Sequence, residues 1–147
     1  MTVLWRMAHK LYKWGGSVQI VARLFELLNF LLCSNTVSAK ATIGKNTKFW
    51  HRGMGCTVHY DVKIGENCKI LPNVMIGAQF ANGNPDAKVP IIGNNCFIGT
   101  GAVIIGDIHI GNDVIIGANA VVTKDVPDYH YAVGVPAVIR KRKDGCS

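Results

Sequence analysis

Residues 92–122, which read IGNNCFIGTGAVIIGDIHIGNDVIIGANAVV, decide the fold of this 147-residue chain. An aliphatic residue returns at every sixth position of this stretch, at Ile92, Ile98, Ile104, Ile110, Ile116 and Val122. A spacing of six matches neither the 3.6-residue period of an α-helix nor the two-residue alternation of a simple strand. It is typical of a β-helix, in which each hexapeptide forms a short strand and a turn and the aliphatic side chains stack inside.

The same repeat extends towards the N-terminus and has a second inward-facing position. Earlier ladder positions are Ile43, Phe49, Ile64, Ile70 and Ile76, and small or β-branched residues follow four positions later at Cys68, Val74, Cys96, Ala102, Val114 and Ala120. Cysteine favours the protein interior, so Cys68 and Cys96 are predicted to be core residues without a redox role. Gly and Asn recur after the ladder positions, as in Gly65-Glu66-Asn67, and are expected to supply the positive φ that tight turns need.

Two breaks in the repeat point to the functional face. Ile64 lies fifteen positions after Phe49, three more than two hexapeptides, which leaves three extra residues around 51–57. Ile92 lies sixteen positions after Ile76, ten more than one hexapeptide, which predicts an extruded loop over residues 82–90. Insertions in solenoids cluster on the functional face. We therefore predict a helical cap over residues 1–35, a β-helix over 36–127 that carries the loop, and a tail over 128–147.

The first 35 residues differ in kind from the repeat. Their first helix has an apolar stripe formed by Leu4, Met7, Ala8, Leu11 and Trp14, with basic residues off the stripe at Arg6, Lys10 and Lys13. Gly15-Gly16 ends this segment, and residues 18–32 predict a second, more apolar helix. We interpret the pair as a cap over the open end of the β-helix, which solenoids require. Peripheral contact with a membrane stays open, because basic residues beside Trp5 and Trp14 suit an interface.

Composition narrows the classes of partner. The formal net charge is +7, yet the basic residues are scattered without interleaved aromatics, so no nucleic-acid partner is predicted. Five cysteines without a CxxC pair favour reduced thiols and a cytoplasmic protein, with the inner face of the membrane as an open possibility. No signal peptide is expected, because Lys10, Lys13 and Arg23 interrupt the apolar stretches.

The repeats over 43–122 and the closing Gly134-Val135-Pro136-Ala137 resemble the hexapeptide-repeat acyltransferase superfamily. The segment His51-Arg52-Gly53-Met54-Gly55, followed by Val58-His59, resembles its serine acetyltransferase branch, including capsule and lipopolysaccharide O-acetyltransferases. This resemblance implies an all-β solenoid, a left-handed parallel β-helix with a short helical cap. It also implies a homotrimer with active sites between adjacent subunits, acetyl-CoA as cosubstrate, and no metal.

The resemblance assigns His51 as the general base that removes the proton of an acceptor hydroxyl. Imidazole titrates near working pH, which suits it to this task. Ala78 falls where the family's backbone N–H donor to the developing oxyanion lies. Acceptor contacts are expected from Trp50, His59, Asn73 and Asp86. Cofactor contacts are expected from Gly77, Thr100, Ala118, Lys124, Pro136, Arg140 and Lys141, the last two as cations for the phosphates of CoA.

Departures from the serine acetyltransferase pattern bear on the acceptor. Trp50 stands where those enzymes have an aspartate, Thr36 lies near the position of their second acid, and residues 86–90 lack their Arg-His pair. An aromatic beside the base suits stacking on a sugar. The sequence therefore favours a saccharide hydroxyl, as in surface polysaccharide biosynthesis, with serine O-acetyltransferase of cysteine biosynthesis as the alternative.

Two more remote readings stay open. One is a non-catalytic β-helix binding protein. The other is a zinc enzyme similar to the carbonic anhydrases that have the same β-helix. His51, His59 and His109 could serve as zinc ligands, but their spacing in the sequence differs from that of the carbonic anhydrases.

Overall fold

The structure, a computed structural model, describes residues 3–14, 18–79 and 88–142, and it begins with two helices, α1 (Val3–Trp14) and α2 (Val18–Cys33). Helix α1 covers the start of the β-helix. Its Trp5 is buried and donates from Nε1 to the carbonyl of Ser38 (3.2 Å), and His9 donates from Nδ1 to the carbonyl of Ala39 (2.6 Å). The helices therefore close the open end of the coil, as a solenoid requires.

The apolar stripe predicted for α1 is partly wrong. Ala8 is buried as expected, but Met7 and Trp14 are 42% and 80% exposed, and Trp5 is buried instead. The reason is that α1 packs on two partners at once, the first coil through Trp5 and α2 on an adjacent side. The spacing of apolar residues alone could not distinguish these two contacts from a single packed face.

Short parallel strands make up the rest of the described chain. They are β1 (Thr36–Val37), β2 (Thr42–Ile43), β3 (Lys48–Phe49), β4 (Thr57–Val58), β5 (Lys63–Ile64), β6 (Lys69–Ile70), β7 (Met75–Gly77), β8 (Ile91–Ile92), β9 (Phe97–Ile98), β10 (Val103–Ile105), β11 (His109–Ile110), β12 (Ile115–Ile116), β13 (Val121–Val122), β14 (His130–Val133) and β15 (Val138–Lys141). A 3-10 turn, Trp50–Gly53, follows β3.

The strands form the three faces of a parallel β-helix. Face A has the order β1-β4-β7-β10-β13, face B β2-β5-β8-β11, and face C β3-β6-β9-β12-β14-β15, in which only β15 is antiparallel to its neighbour. We call the turns from face C to face A, at 50–56, 71–74, 99–102 and 117–120, the His51 corner. The turns from A to B, at 38–41, 59–62, 78–90, 106–108 and 123–125, are the loop corner, and those from B to C are the asparagine corner.

Strand register confirms both breaks in the repeat. Val103 pairs with Val121, and Thr57 pairs with Met75, and each of these steps is one regular coil of three hexapeptides. The step from Thr36 to its partner Thr57 is longer than a regular coil by three positions, which lie in the His51 turn. The step from Met75 to its partner Val103 is longer by ten positions, which fall between the end of β7 and the start of β8. Most of the predicted loop over 82–90 lies outside the described residues.

The core is the predicted ladder. Ile98, Ile104 and Ile116 are fully buried, as are the second inward positions, including Cys68 and Cys96 within about 1%. A hydrogen bond from the Cys96 thiol lowers the pKa of Cys68 to about 7, and the same contact raises the pKa of Cys96. Both sulfurs also contact backbone carbonyls of the turn above. They are interior residues, as their repeat position predicts.

The asparagines of these turns supply positive φ as predicted, whereas the glycines that directly follow the ladder positions have a different role. Positive φ falls on the asparagines two positions later, such as Asn67 and Asn95, whereas Gly65 and Gly93 do not have it. A Cβ on Gly65 would lie 2.5 Å from the carbonyl oxygen of Gly93 in the next coil. Glycine is needed at this position because the backbones of successive turns approach closely.

Candidate functional site

His51 lies in the turn with three extra residues, in a backbone conformation that side chains seldom adopt. Its φ and ψ are 50° and 41°, Arg52 follows with φ 60°, and both residues are exposed. A buried pair of amides holds this turn: Asn35 Nδ2 donates to the carbonyl of Arg52 (2.9 Å), and Asn29 Nδ2 of α2 donates to Asn35 Oδ1 (2.7 Å). Helix α2 is thereby connected to the turn that presents the imidazole.

The His51 side chain opens onto a cavity of about 360 Å³. The cavity is lined by Leu32, Cys33, Ser34, His51, Arg52 and Met54. Within the described residues, no side chain hydrogen-bonds the His51 ring, and Thr36 Oγ1, near the position of the family's second acid, donates to Thr57 Oγ1 (2.9 Å). An imidazole with a free ring nitrogen at a small cavity can accept a proton, and Arg52 supplies a positive charge beside it.

The His51 corner brings four of the predicted site positions into one column. Met54 accepts a backbone hydrogen bond from Asn73 (2.9 Å), Pro72 one from Gly101 (3.0 Å), and Thr100 one from Asn119 (2.9 Å). Trp50, Asn73, Thr100 and Ala118 therefore lie on successive levels of this corner. Pro136 lies instead in the turn between β14 and β15, where the N–H of Ala137 donates to the carbonyl of Val121 (2.9 Å). At about 4.8 Å per coil, the three steps from the His51 turn to Ala118 span roughly 15 Å.

The remaining predicted positions lie elsewhere. His59, Ala78 and Lys124 are at the loop corner, on the other side of face A, and Gly77 ends strand β7 of that face. His59 is held by its own turn, because its Nδ1 accepts from the N–H of Asp61 (3.3 Å) and its ring packs on Tyr60. Asp86 lies outside the described residues. A single chain therefore does not bring Ala78 and His51 together.

A family profile described as Bacterial transferase hexapeptide (six repeats) matches residues 40–78 and 90–124. The chain belongs to this family. Serine acetyltransferases of Bacillus subtilis and Staphylococcus epidermidis are 33% and 35% identical to it, over 89% and 93% of this chain and 58% and 62% of theirs. The chain thus spans little more than half the length of these curated relatives.

Solved structures agree with the sequence match. Soybean serine acetyltransferase apoenzyme has a TM-score of 0.83 at 34% identity over 93% of this chain and 55% of that one, and the Brucella abortus serine acetyltransferase 0.86 at 30% over 98% and 56%. A serine acetyltransferase in complex with CoA has a TM-score of 0.80 at 29% identity, covering 93% of this chain and 54% of that one. The fold is the left-handed parallel β-helix that the resemblance to the superfamily implies.

In this member of the hexapeptide-repeat family, the end of the described chain forms an edge of face C. Strand β15 pairs with β14, and its Arg140 and Lys141 are exposed. Arg142 donates from its guanidinium to the carbonyl of Asp113 (3.1 Å), which ties the segment to the asparagine corner. The two exposed cations are thus carried on a paired strand.

The three histidines considered for zinc are on different sides of the coil. His51 lies at the His51 corner, His59 at the loop corner and His109 on face B. Over residues 3–14, 18–79 and 88–142, no group of three or more His, Cys, Asp or Glu side chains is placed to hold a metal ion.

Sequence reasoning missed Arg52, Asn29 and Asn35 as residues of the site. Arg52 is adjacent to His51 and could have been suspected on that ground alone. The amide pair gave no signal, because Asn29 lies in an apolar helix and only tertiary packing brings it to Asn35.

Proposed function

We propose that the chain carries the catalytic β-helix of an acetyl-CoA-dependent O-acetyltransferase, with His51 as general base. The observation that supports this most is the exposed imidazole at a cavity that heads a column of small residues. His51 takes the proton of the acceptor hydroxyl as its oxygen attacks the thioester carbonyl. The C–S bond then breaks, and the imidazolium returns the proton to the leaving CoA sulfur.

The His51 corner is proposed to bind the pantetheine arm of acetyl-CoA. Thr100 and Ala118 are small and exposed along this column, so an extended chain can lie against them without obstruction. Arg140 and Lys141 are proposed to pair with the phosphates, because guanidinium and ammonium groups form charge-assisted hydrogen bonds with phosphate oxygens. The proposed proton transfers use only groups of the protein and of the two substrates.

L-serine is proposed as the acceptor, which is the acceptor that the names of the relatives give for those proteins. The cavity of about 360 Å³ is at the small end of ligand sites, which suits an amino acid. Arg52 lines it and can bind a carboxylate through two N–H groups. This reverses the preference drawn from the sequence, in which the saccharide came first.

A saccharide hydroxyl is the second candidate, and one observation favours it. Trp50 is 48% exposed beside His51, where its ring is free to stack on a sugar face. In addition, none of the residues lining the cavity is a carboxylate that could pair with the ammonium group of serine.

Arg52→Gln separates the two acceptors. A lost charge-assisted hydrogen bond costs about 1.5–3 kcal/mol, so kcat/KM for L-serine should fall roughly 10- to 100-fold. A neutral saccharide should be affected less than threefold. The measurement is acetyl-CoA consumption with L-serine and with a panel of neutral mono- and oligosaccharides, and Lys48→Gln, an exposed cation on face C, is the control. If the wild-type protein acetylated a sugar but not serine, the saccharide would replace serine as the proposed acceptor. The proposal of acetyl transfer itself would still hold.

A homotrimer is proposed as the active assembly. His51 and Ala78 lie on opposite sides of face A, so a site that uses both needs the His51 corner of one copy against the loop corner of the next. The outward residues of face A carry no charge, namely Thr36, Thr57, Met75, Val103 and Val121. Interface cores are depleted in charge, and a head-to-tail contact can close into a ring of three.

Complementation tests this shared site. His51→Asn removes the base and Ala78→Pro removes the backbone N–H, so each variant alone should be nearly inactive. In trimers refolded from an equal mixture, every mixed ring contains one intact site, which restores about one quarter of the wild-type activity. Circular dichroism and molar mass verify that both variants fold and assemble. Activity that stays at the sum of the two variants places the site within one chain.

A further inference from the structure

The outer surface of the helical cap is apolar. On α2 the large exposed side chains, 36% to 74% accessible, are Ile20, Val21, Leu24, Leu27, Leu28, Phe30, Leu31 and Leu32. With Met7 and Trp14 of α1 they form what we call the cap surface. Soluble monomers rarely expose apolar patches larger than a few hundred Å², so a surface of this extent indicates a partner.

The cap surface faces away from the β-helix. Helix α2 is held on the first coil by Glu26, whose Oε1 accepts from the N–H of Ala39 (2.7 Å), and by Asn29. At about 100° per residue, Leu24 and Leu31 lie on the opposite side of that helix. In α1, by the same count, Met7 and Trp14 lie opposite the side that contacts the coil. Both helices therefore direct apolar residues outward at the same end of the molecule.

Cations flank this surface. Helices α1 and α2 contain four basic residues, Arg6, Lys10, Lys13 and Arg23, and one acid, Glu26, which leaves a net charge of +3. The carboxylate of Glu26 is already engaged, with the N–H of Ala39 and the hydroxyl of Tyr12. Among the described residues, no ion pair within 4.0 Å involves Arg6, Lys10 or Lys13.

We propose that the cap surface binds an anionic lipid bilayer. Amphipathic helices with leucine and tryptophan on one side and basic residues on the flank lie in the headgroup region of membranes. A second copy packed on this surface would bring two sets of the same cations into one interface, whereas anionic headgroups neutralise them. The charge therefore favours lipid over self-association. Neither α1 nor α2, as far as the structure describes them, is long and apolar enough to cross a bilayer, so the contact proposed is peripheral.

The position of the His51 turn gives this contact a consequence for the reaction. Leu32 belongs to the cap surface and also lines the cavity of His51. A bilayer-bound chain would hold that cavity close to the headgroups, within reach of acceptors at the membrane surface.

Co-sedimentation of the full chain with vesicles tests the proposal without reference to activity. Binding is expected to vesicles in which phosphatidylcholine is mixed with a minor share of phosphatidylglycerol, in roughly 0.1 M salt, and it should weaken in roughly 0.5 M salt as the charges are screened. Arg6→Gln/Lys10→Gln/Lys13→Gln should reduce partitioning about 100-fold, since each basic residue near an anionic surface contributes roughly a factor of five. Leu24→Glu/Leu31→Glu should reduce it at least tenfold.

Matched controls carry the same changes elsewhere on the surface. Lys48→Gln/Lys63→Gln/Lys69→Gln and Tyr129→Glu/Val138→Glu alter exposed residues of the β-helix and should bind within twofold of wild type. If the control variants lost as much vesicle binding as the cap variants, net charge alone would explain the losses, and the proposal would be overturned. The proposal would also be overturned if the wild-type chain did not bind the anionic vesicles. It would be overturned as well if Leu24→Glu/Leu31→Glu left vesicle binding unchanged and lowered only the molar mass measured by light scattering, because the surface would then be a contact between copies.

Discussion

His51→Asn is expected to lower kcat for the proposed acetyl transfer by about 100- to 10,000-fold, the range that a general base contributes. Asparagine is the informative substitution because it tolerates the positive φ of 50° at this position and cannot take up the proton. His51→Ala should lower kcat equally but also lose some stability. The measurement is kcat under saturating acetyl-CoA, together with the Kd for CoA. This Kd should change less than threefold, because the proposed contacts of the pantetheine arm, Thr100 and Ala118, do not include the imidazole.

His109→Ala is the control for this prediction. His109 is exposed on face B, the face opposite the His51 corner, and should leave kcat within twofold of wild type. Retention of kcat by His51→Asn would remove His51 from the role of base. The fold would be unaffected by that result, and another proton acceptor would have to be sought along the His51 corner.

Gly65→Ala is expected to lower the free energy of unfolding by about 3 kcal/mol, at the upper end of what overpacking costs. The added Cβ would lie 2.5 Å from the Gly93 carbonyl oxygen and 2.6 Å from its carbon, so the backbones of two coils must separate. For a chain of this size the midpoint of thermal unfolding should fall by roughly 10 °C. Circular dichroism melts at one fixed protein concentration measure this, since assembly makes Tm concentration-dependent.

Gly77→Ala is the matched control for stability. A Cβ on Gly77 has no atom within 4 Å and its φ is not positive, so alanine should be neutral or raise stability by up to about 1 kcal/mol. Equal melting temperatures for Gly65→Ala and wild type would show that the turns can move apart at little cost. The close approach of the coils would then not be the reason for glycine at this position.

The two breaks in the repeat show how much of the candidate site could be predicted from the sequence. The spacing from Phe49 to Ile64 located three extra residues, and the register of Thr36 with Thr57 has that number. The resemblance assigned His51 within the same turn. Arg52 and Trp50 stand beside it in the sequence, yet only the cavity indicates that Arg52 can meet an acceptor. The assigned roles of the site residues themselves stay predictions until the variants are measured.

The sequence by itself determined the coil, because a six-residue period of aliphatic residues can bury its side chains in few other ways, and inward positions such as Ile98 and Cys96 follow from counting. Only the tertiary structure decided which residues meet across coils: that Gly65 is glycine because of Gly93, that Asn29 supports the His51 turn through Asn35, and that Trp5 rather than Trp14 is buried in the cap. The physical reason is that a repeat fixes the direction of each side chain relative to its own strand. Contacts between a helix and a coil, or between turns many residues apart, depend on how those units pack, which periodicity does not encode.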